Sequence, residues 1–123
     1  GVEACTLEDT ALHVLATVVS TAVPGQMIVD AGSKTLTSDR YGAGDGKGHG
    51  ILLEDPGVVI SWMSEEHGMA DLSGATRKWR IGDRVTIVPN HVCPLVNLHD
   101  ELVLHRGGEV VGSWKVAGRG RVR

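Results

Sequence analysis

Short apolar runs recur along the chain, and Gly, Pro or Asp residues separate them. In the first run, Leu12 to Ser20, apolar side chains occupy every second position from Leu12 to Val18. Many of its residues are β-branched, which is typical of a strand with one buried face. Further runs of strand character are at residues 26–30, 58–63, 65–72, 84–88, 101–105 and 109–116. The pattern predicts a chain built mainly from β-strands.

Turn residues indicate how these runs are joined. Pro24-Gly25 separates the first two strands, and Gly107-Gly108 predicts a hairpin between the last two. Gly occupies every second position from Gly42 to Gly50, which predicts a loop. Pro94 suits the first position of a short helix. We therefore expect an all-β fold with minor helix, a small barrel or sandwich of about seven to nine strands, as one domain over residues 1–123.

Composition narrows the class of protein. The chain has 41% hydrophobic residues but no Phe, three Trp and one Tyr, so the core should be aliphatic. A formal net charge of -3 gives no basic field for a nucleic-acid partner. No apolar run of about 18 residues is present, so we expect no membrane span and a cytoplasmic protein. With only two cysteines, Cys5 and Cys93, we expect reduced thiols.

The segment Pro89-Asn90-His91-Val92-Cys93-Pro94 carries the first candidate chemistry. In extended backbone the imidazole of His91 and the thiol of Cys93 would point to the same side and could share one metal ion. A helix beginning at Pro94 would direct its amides toward Cys93 and favour the thiolate. Sulfur with imidazole suits zinc best. The alternative is an inert buried thiol beside a loop histidine that bonds to backbone.

A second candidate is the block Ser64-Glu65-Glu66-His67-Gly68. Strand alternation would place Glu65 and His67 on one face, which could carry a proton relay, a third metal ligand or a partner that supports a metal ligand, with His67 as the main candidate. The alternative is a solvated strand whose charges keep a sheet edge soluble. In Asp30-Ala31-Gly32-Ser33-Lys34 we expect a plain turn with an exposed lysine. The spacing of the other histidines, His13, His49, His99 and His105, suggests no site.

Six blocks of sequence, in order, resemble the C-terminal domain of the D-serine dehydratase and D-threonine aldolase family. The resemblance extends from about Leu12 to Gly120. The blocks are Val14-Leu15-Ala16-Thr17-Val18-Val19-Ser20, Asp30-Ala31-Gly32-Ser33-Lys34, Glu65-Glu66-His67-Gly68, Gly82-Asp83-Arg84-Val85, Pro89-Asn90-His91-Val92-Cys93-Pro94 and Ala117-Gly118-Arg119-Gly120.

The resemblance implies a fold like the C-terminal β-domain of alanine racemase, together with an N-terminal TIM barrel that carries pyridoxal phosphate on a lysine and is absent from this chain. It implies that His91 and Cys93 bind a divalent metal, zinc before manganese or magnesium, near that cofactor. It also implies a small D-amino acid substrate and a homodimeric full-length enzyme. Family aldolases are expected to carry Asp at the position of Cys93, so the thiol favours elimination of the D-serine dehydratase type over aldol cleavage.

Two functions of different classes follow from the sequence. The chain is either a domain of a pyridoxal-phosphate lyase, inactive by itself, or a stand-alone β-module that binds a metal or a protein partner. A TIM barrel with a cofactor lysine upstream in the same reading frame would decide for the enzyme.

Overall fold

The computed structural model describes residues 6–40 and 48–121, and these form two compact units. The first unit ends at His91 and the second begins at Val92. The single domain expected for residues 1–123 stays a prediction.

Six antiparallel strands build the first unit. They are Val14–Ser20 (β1), Gln26–Val29 (β2), Gly50–Leu52 (β3), Val59–Met63 (β4), Gly68–Asp71 (β5) and Arg84–Pro89 (β6). They form a closed barrel in the order β1-β2-β5-β4-β3-β6, so the last strand also pairs with the first. A 3-10 turn, Leu7–Asp9, and a one-turn helix, Ser33–Leu36 (α1), complete the unit. Of the two expected architectures, the barrel is confirmed.

The barrel encloses an aliphatic core, as the composition predicted. The side chains that are completely buried belong mostly to alternate strand positions, namely Val18, Val29, Leu52, Ile60, Val85 and Ile87, together with Val58 and Ala70. In β1 the outward residues Leu15 and Val19 are exposed while Ala16 and Val18 are buried, as the period of two predicted.

The strand β3 was not among the predicted strands, although it completes the barrel between β4 and β6. It has three residues and follows the glycine-rich stretch, so it carries too little sequence for a periodic signal. The loop predicted for residues 42–50 lies mostly outside the described residues, and its last residue, Gly50, belongs to β3.

The strand predicted for residues 65–72 begins only at Gly68. Ser64 to His67 form the turn of the β4–β5 hairpin, in which the Ser64 amide donates to the His67 carbonyl at 2.8 Å. The expectation that Glu65 and His67 share one strand face is therefore wrong, because alternation applies only to extended residues. β4 and β5 pair with each other in this hairpin.

The second unit consists of the helix Val92–Leu98 (α2) and a hairpin of Glu101–Arg106 (β7) with Glu109–Lys115 (β8). Gly107 and Gly108 form the predicted turn with positive φ values of 58° and 86°, which other residues adopt with strain. The helix begins two residues before Pro94, so our expected helix start is wrong. A proline fits the first turn because its amide position needs no intrahelical partner. No helix in the described ranges is long and apolar enough to cross a membrane.

A buried carboxylate holds the chain that leads from β5 to β6. Asp55 is 1% exposed, and both of its oxygens accept from the Thr76 amide, at 3.2 and 3.0 Å. The Thr76 hydroxyl donates to the same group at 3.1 Å. Burial alone would raise the pKa of Asp55, but the hydrogen bonds from Thr76 and from the Arg77 backbone outweigh it and lower the pKa below its ordinary value.

This carboxylate should make part of the stability depend on pH. The pKa of Asp55 is lower in the folded chain than in the unfolded chain. Its contribution to the free energy of unfolding is therefore present at pH values above the ordinary carboxyl pKa, and it is lost as pH falls through the pKa of the folded chain. We expect the free energy of unfolding to fall more steeply in wild type than in Asp55→Asn between about pH 6 and pH 3. Urea denaturation at a series of pH values measures both slopes. Equal slopes would contradict the assignment.

Candidate metal centre

The end of β6 positions the first candidate metal ligand, His91. The strand pairs with β3 so that Gly50 lies opposite Pro89. A Cβ at Gly50 would lie 2.8 Å from the Val88 carbonyl oxygen, so glycine permits this close approach. Beyond the strand, the Asn90 side chain donates to the Gly48 carbonyl at 2.5 Å, and the Asn90 amide donates to the His49 carbonyl at 3.4 Å. The backbone next to His91 is therefore anchored to the segment that precedes β3.

The ring of His91 contacts a carboxylate. Its Nδ1 lies 2.6 Å from Oδ2 of Asp39, and the two side chains are 38% and 40% exposed. The Asp39 amide donates a hydrogen bond to the hydroxyl oxygen of Thr37 at 3.3 Å. Thr37 itself has a φ of 72°, so the chain turns sharply where α1 ends and Asp39 follows. His91 thus bonds to a side chain and not only to backbone, unlike the inert alternative.

Cys93 lies in the second unit, within the first turn of α2. Its side chain is exposed, so it is not the buried thiol of the inert alternative. The residues from Val92 onward are helical, and the extended backbone assumed for His91 to Cys93 is therefore wrong. In the described part of the chain no group of three or more His, Cys, Asp and Glu side chains could hold a metal ion.

A cavity of about 280 Å³ opens in the first unit. Its lining combines charged, hydroxyl and aromatic groups, from Ser33, Ser38, Arg40, His49, Trp62, Met63, Ser64 and Glu65. Arg40, which lines the cavity, follows Asp39 directly in sequence. His67 is not part of the lining, whereas its neighbour Glu65 is. The predicted block therefore reaches the cavity through Ser64 and Glu65.

His49 is a buried titratable group in this lining, and sequence spacing gave it no role. It is 6% exposed, and Arg40 Nε donates to its Nε2 at 3.4 Å. Its Nδ1 has no hydrogen-bond partner among the described residues. Burial is the main cause that lowers the pKa of His49, and the positive charge of Arg40 adds to it, while the Asp39 backbone opposes the shift. Neutral imidazole is the favoured form here.

The Glu65-Glu66-His67 turn packs against the Asp30 to Lys34 block. The amides of Ser33 and Lys34 donate to the carbonyls of Ser64 and Glu65 at 2.9 and 3.1 Å. Lys34 Nζ lies 2.5 Å from Glu66, and this hydrogen bond and charge raise the pKa of the lysine. The block that we expected to be a plain turn includes the first two residues of α1, and its lysine is exposed as expected.

Comparison with known proteins decides the family. The serine dehydratase domain model matches residues 11–105, most of the chain. The chain belongs to the serine dehydratase domain family. The family resemblance inferred from the sequence is therefore confirmed. An alanine racemase-like protein of Idiomarina loihiensis aligns over 86% of this chain, with 24% identity and a TM-score of 0.73, and confirms the expected fold.

Relatives of the serine dehydratase domain are of two lengths. D-threonine aldolase of Arthrobacter sp. is 34% identical over 112 residues, which are 91% of this chain but 28% of the aldolase. The chain thus spans less than a third of that enzyme's length. An uncharacterized protein of Mycobacterium tuberculosis is 35% identical over 121 residues, and there the match covers 95% of this chain and 90% of the relative.

Two solved structures of D-threo-3-hydroxyaspartate dehydratase are also similar. One is a variant with a histidine replaced by alanine, which has 31% identity and a TM-score of 0.77 over 90% of this chain and 32% of that one. The other has a cysteine replaced by alanine and is metal-free, with 32% identity and a TM-score of 0.72 over 90% of this chain and 33% of that one. The two replaced positions are two residues apart in that enzyme.

The pKa of His49 provides a test of the environment beside His91. We expect its imidazole to titrate below the ordinary value of 6.5, and Arg40→Gln to bring the pKa only part of the way back, because burial is the larger cause. A pH titration of the histidine ring signals by NMR measures both midpoints. A wild-type midpoint at or above 6.5, or a complete return in Arg40→Gln, would mean that burial does not control this group.

Proposed function

We propose that this chain is the metal-binding domain of a pyridoxal-phosphate lyase that acts on D-hydroxyamino acids, with His91 and Cys93 as metal ligands. One observation carries the proposal. His91, with its Nδ1 bonded to Asp39 at 2.6 Å, precedes an exposed cysteine by two residues, and a related dehydratase has been altered at a histidine and a cysteine of the same spacing. The structure of the cysteine variant is of its metal-free form.

The donor set fits a divalent metal. An imidazole with its other nitrogen bonded to a carboxylate is a frequent arrangement at metal sites, and an exposed thiol is accessible to an ion. Sulfur and imidazole together suit zinc better than manganese or magnesium. Two protein ligands would leave coordination positions for water or substrate, in keeping with a catalytic site.

The chemistry of the whole enzyme requires groups from outside this chain. When bound, the metal would supply a Lewis acid for the substrate hydroxyl and pyridoxal phosphate would supply an electron sink. His91 and Cys93 would hold the ion, and Asp39 would hold the Nδ1 proton of His91. We keep His67 as a candidate for proton transfer, since it is exposed in the turn that also contains Glu65. A TIM barrel on the N-terminal side would bind the cofactor, and the full-length enzyme would be a homodimer.

The thiol of Cys93 is the feature on which we base the choice between elimination and aldol cleavage. Carboxylate in place of Cys93 would favour a harder ion, whereas sulfur favours zinc. We therefore propose elimination of the D-serine dehydratase type in preference to aldol cleavage, with a small D-amino acid as substrate.

A second function is favoured by the short relative. The uncharacterized Mycobacterium tuberculosis protein is matched over 90% of its length, so in that protein little chain remains for a barrel. The alternative proposal is accordingly a stand-alone, non-catalytic β-module that binds a metal or a protein partner. The length of the reading frame that contains this chain discriminates between the two proposals.

Replacing either ligand should remove the metal without unfolding the chain. In the full-length enzyme we expect His91→Ala and Cys93→Ala each to lose the metal and most activity, because each supplies one of two protein ligands. Cys93→Asp should be milder and should favour manganese or magnesium over zinc. His67→Ala should lower metal affinity by about 10- to 100-fold, as expected for a supporting group. Elemental analysis and turnover of D-serine and D-threonine measure these effects.

His105→Ala is the matched control for loss of an imidazole, since His105 is an exposed histidine of β7 and is assigned no role. It should retain metal and activity. Full metal occupancy and wild-type rates in both His91→Ala and Cys93→Ala would show that the assigned ligands are wrong. Thermal unfolding of each variant checks that the fold is intact.

The purified chain should have no lyase activity with added pyridoxal phosphate and zinc. Family enzymes are expected to bind the cofactor through a lysine of the barrel, and no such barrel is present in this sequence. The assay is release of ammonia or aldehyde from D-serine and D-threonine. Turnover that disappears when the chain is denatured by heat would overturn this expectation.

A further inference from the structure

Asp39 contacts His91 although the two residues are 52 positions apart in sequence. The contact joins the end of the α1 segment to the end of β6, and both residues belong to the first unit. Neither composition nor spacing marks Asp39. The 2.6 Å distance from Oδ2 to Nδ1 is that of a short, charge-assisted hydrogen bond.

A carboxylate at this position determines where the ring carries its proton. Ionised Asp39 only accepts, so Nδ1 of His91 must donate, and the lone pair of a neutral ring is then on Nε2. The same bond restricts rotation of the ring about its Cβ–Cγ bond. Nε2 is thus the nitrogen that would face an ion.

Both partners of this contact are anchored. Asp39 follows the turn at Thr37, whose hydroxyl oxygen accepts from the Asp39 amide at 3.3 Å. On the other side, Asn90 bonds to the carbonyl groups of Gly48 and His49 at 2.5 and 3.4 Å, which fixes the backbone next to His91. An exposed ion pair between two free side chains would lack such support and would contribute little.

We propose that Asp39 is a positioning residue, which selects the Nδ1–H tautomer and the orientation of His91 so that Nε2 binds the metal. This inference rests on the proposed metal site. It differs from direct coordination, in which a carboxylate oxygen of Asp39 would itself bind the ion, and from a surface ion pair without effect on the site.

The experiment uses the whole chain as wild type, Asp39→Asn, Asp39→Ala, His91→Ala and Asp30→Asn. Asp30 is the matched control, because its carboxylate also accepts a 2.6 Å hydrogen bond, but from the Thr17 amide. Zinc affinity is measured by competition with a chromophoric chelator. Long-range ¹H–¹⁵N NMR spectra of the metal-free chain report the tautomer of His91, a property that a merely structural role would not change. Thermal unfolding monitors the fold.

We expect the wild type to carry its His91 proton on Nδ1. Asp39→Ala should move it toward Nε2 and weaken zinc binding by about 10- to 100-fold. Asp39→Asn should retain the tautomer through its amide oxygen and lose less than about 10-fold, a partial rescue relative to alanine. Asp30→Asn should change neither the tautomer nor the affinity.

Three outcomes would overturn these ideas in different ways. An unchanged tautomer and affinity in Asp39→Ala would reduce the contact to a surface ion pair. Loss of zinc binding in Asp39→Asn as complete as in His91→Ala, with loss of an oxygen ligand in the X-ray absorption spectrum, would make Asp39 a ligand instead. Absence of zinc binding by the wild-type chain would overturn the proposed metal site, while the tautomer measurement still tests the effect of Asp39 on His91.

Discussion

The antiparallel pairing of β3 with β6 determines where the candidate site can form. β3 is the three-residue strand that closes the barrel. Its first residue, Gly50, pairs with Pro89 of β6, and its last residue, Leu52, pairs with Ile87. A shift of β3 by one residue would turn the buried Leu52 outward, so the register is strongly constrained by the core. Because β6 leads directly to Asn90 and His91, the same register fixes the point at which the histidine leaves the barrel.

The fold was predictable from local pattern wherever strands are long enough to show a period. β1 and β6 alternate between buried and outward residues and pair with each other, and their predicted positions are confirmed within two residues. β3 has too few residues for such a signal, and its role comes from pairing with two partners distant in sequence. The turn Ser64 to His67 and the start of α2 were missed because polar, non-periodic residues leave the boundary of an element undetermined.

The candidate site was predictable only as far as its motifs are contiguous. His91 and Cys93 were found through spacing and resemblance, which identify ligand types but not their surroundings. Asp39 contributes through a contact with His91, which is 52 positions away in sequence, and His49 contributes as a buried side chain. Such contacts depend on closure of the whole barrel, so the sequence around either residue contains no sign of them. The pKa of His49 is likewise a property of its burial and of Arg40, not of its neighbours in sequence.

Asn90 and His91 also hold the two ends of the interval between Asp39 and Gly48. His91 contacts the Asp39 carboxylate, and the Asn90 side chain donates to the Gly48 carbonyl. The free energy needed to close a chain segment rises only slowly with its length. Residues can therefore be gained or lost between these tethers during evolution at small cost to the barrel. A change of length between Asp39 and Gly48 would therefore leave both tethers, the Asp39–His91 and Gly48–Asn90 contacts, in place.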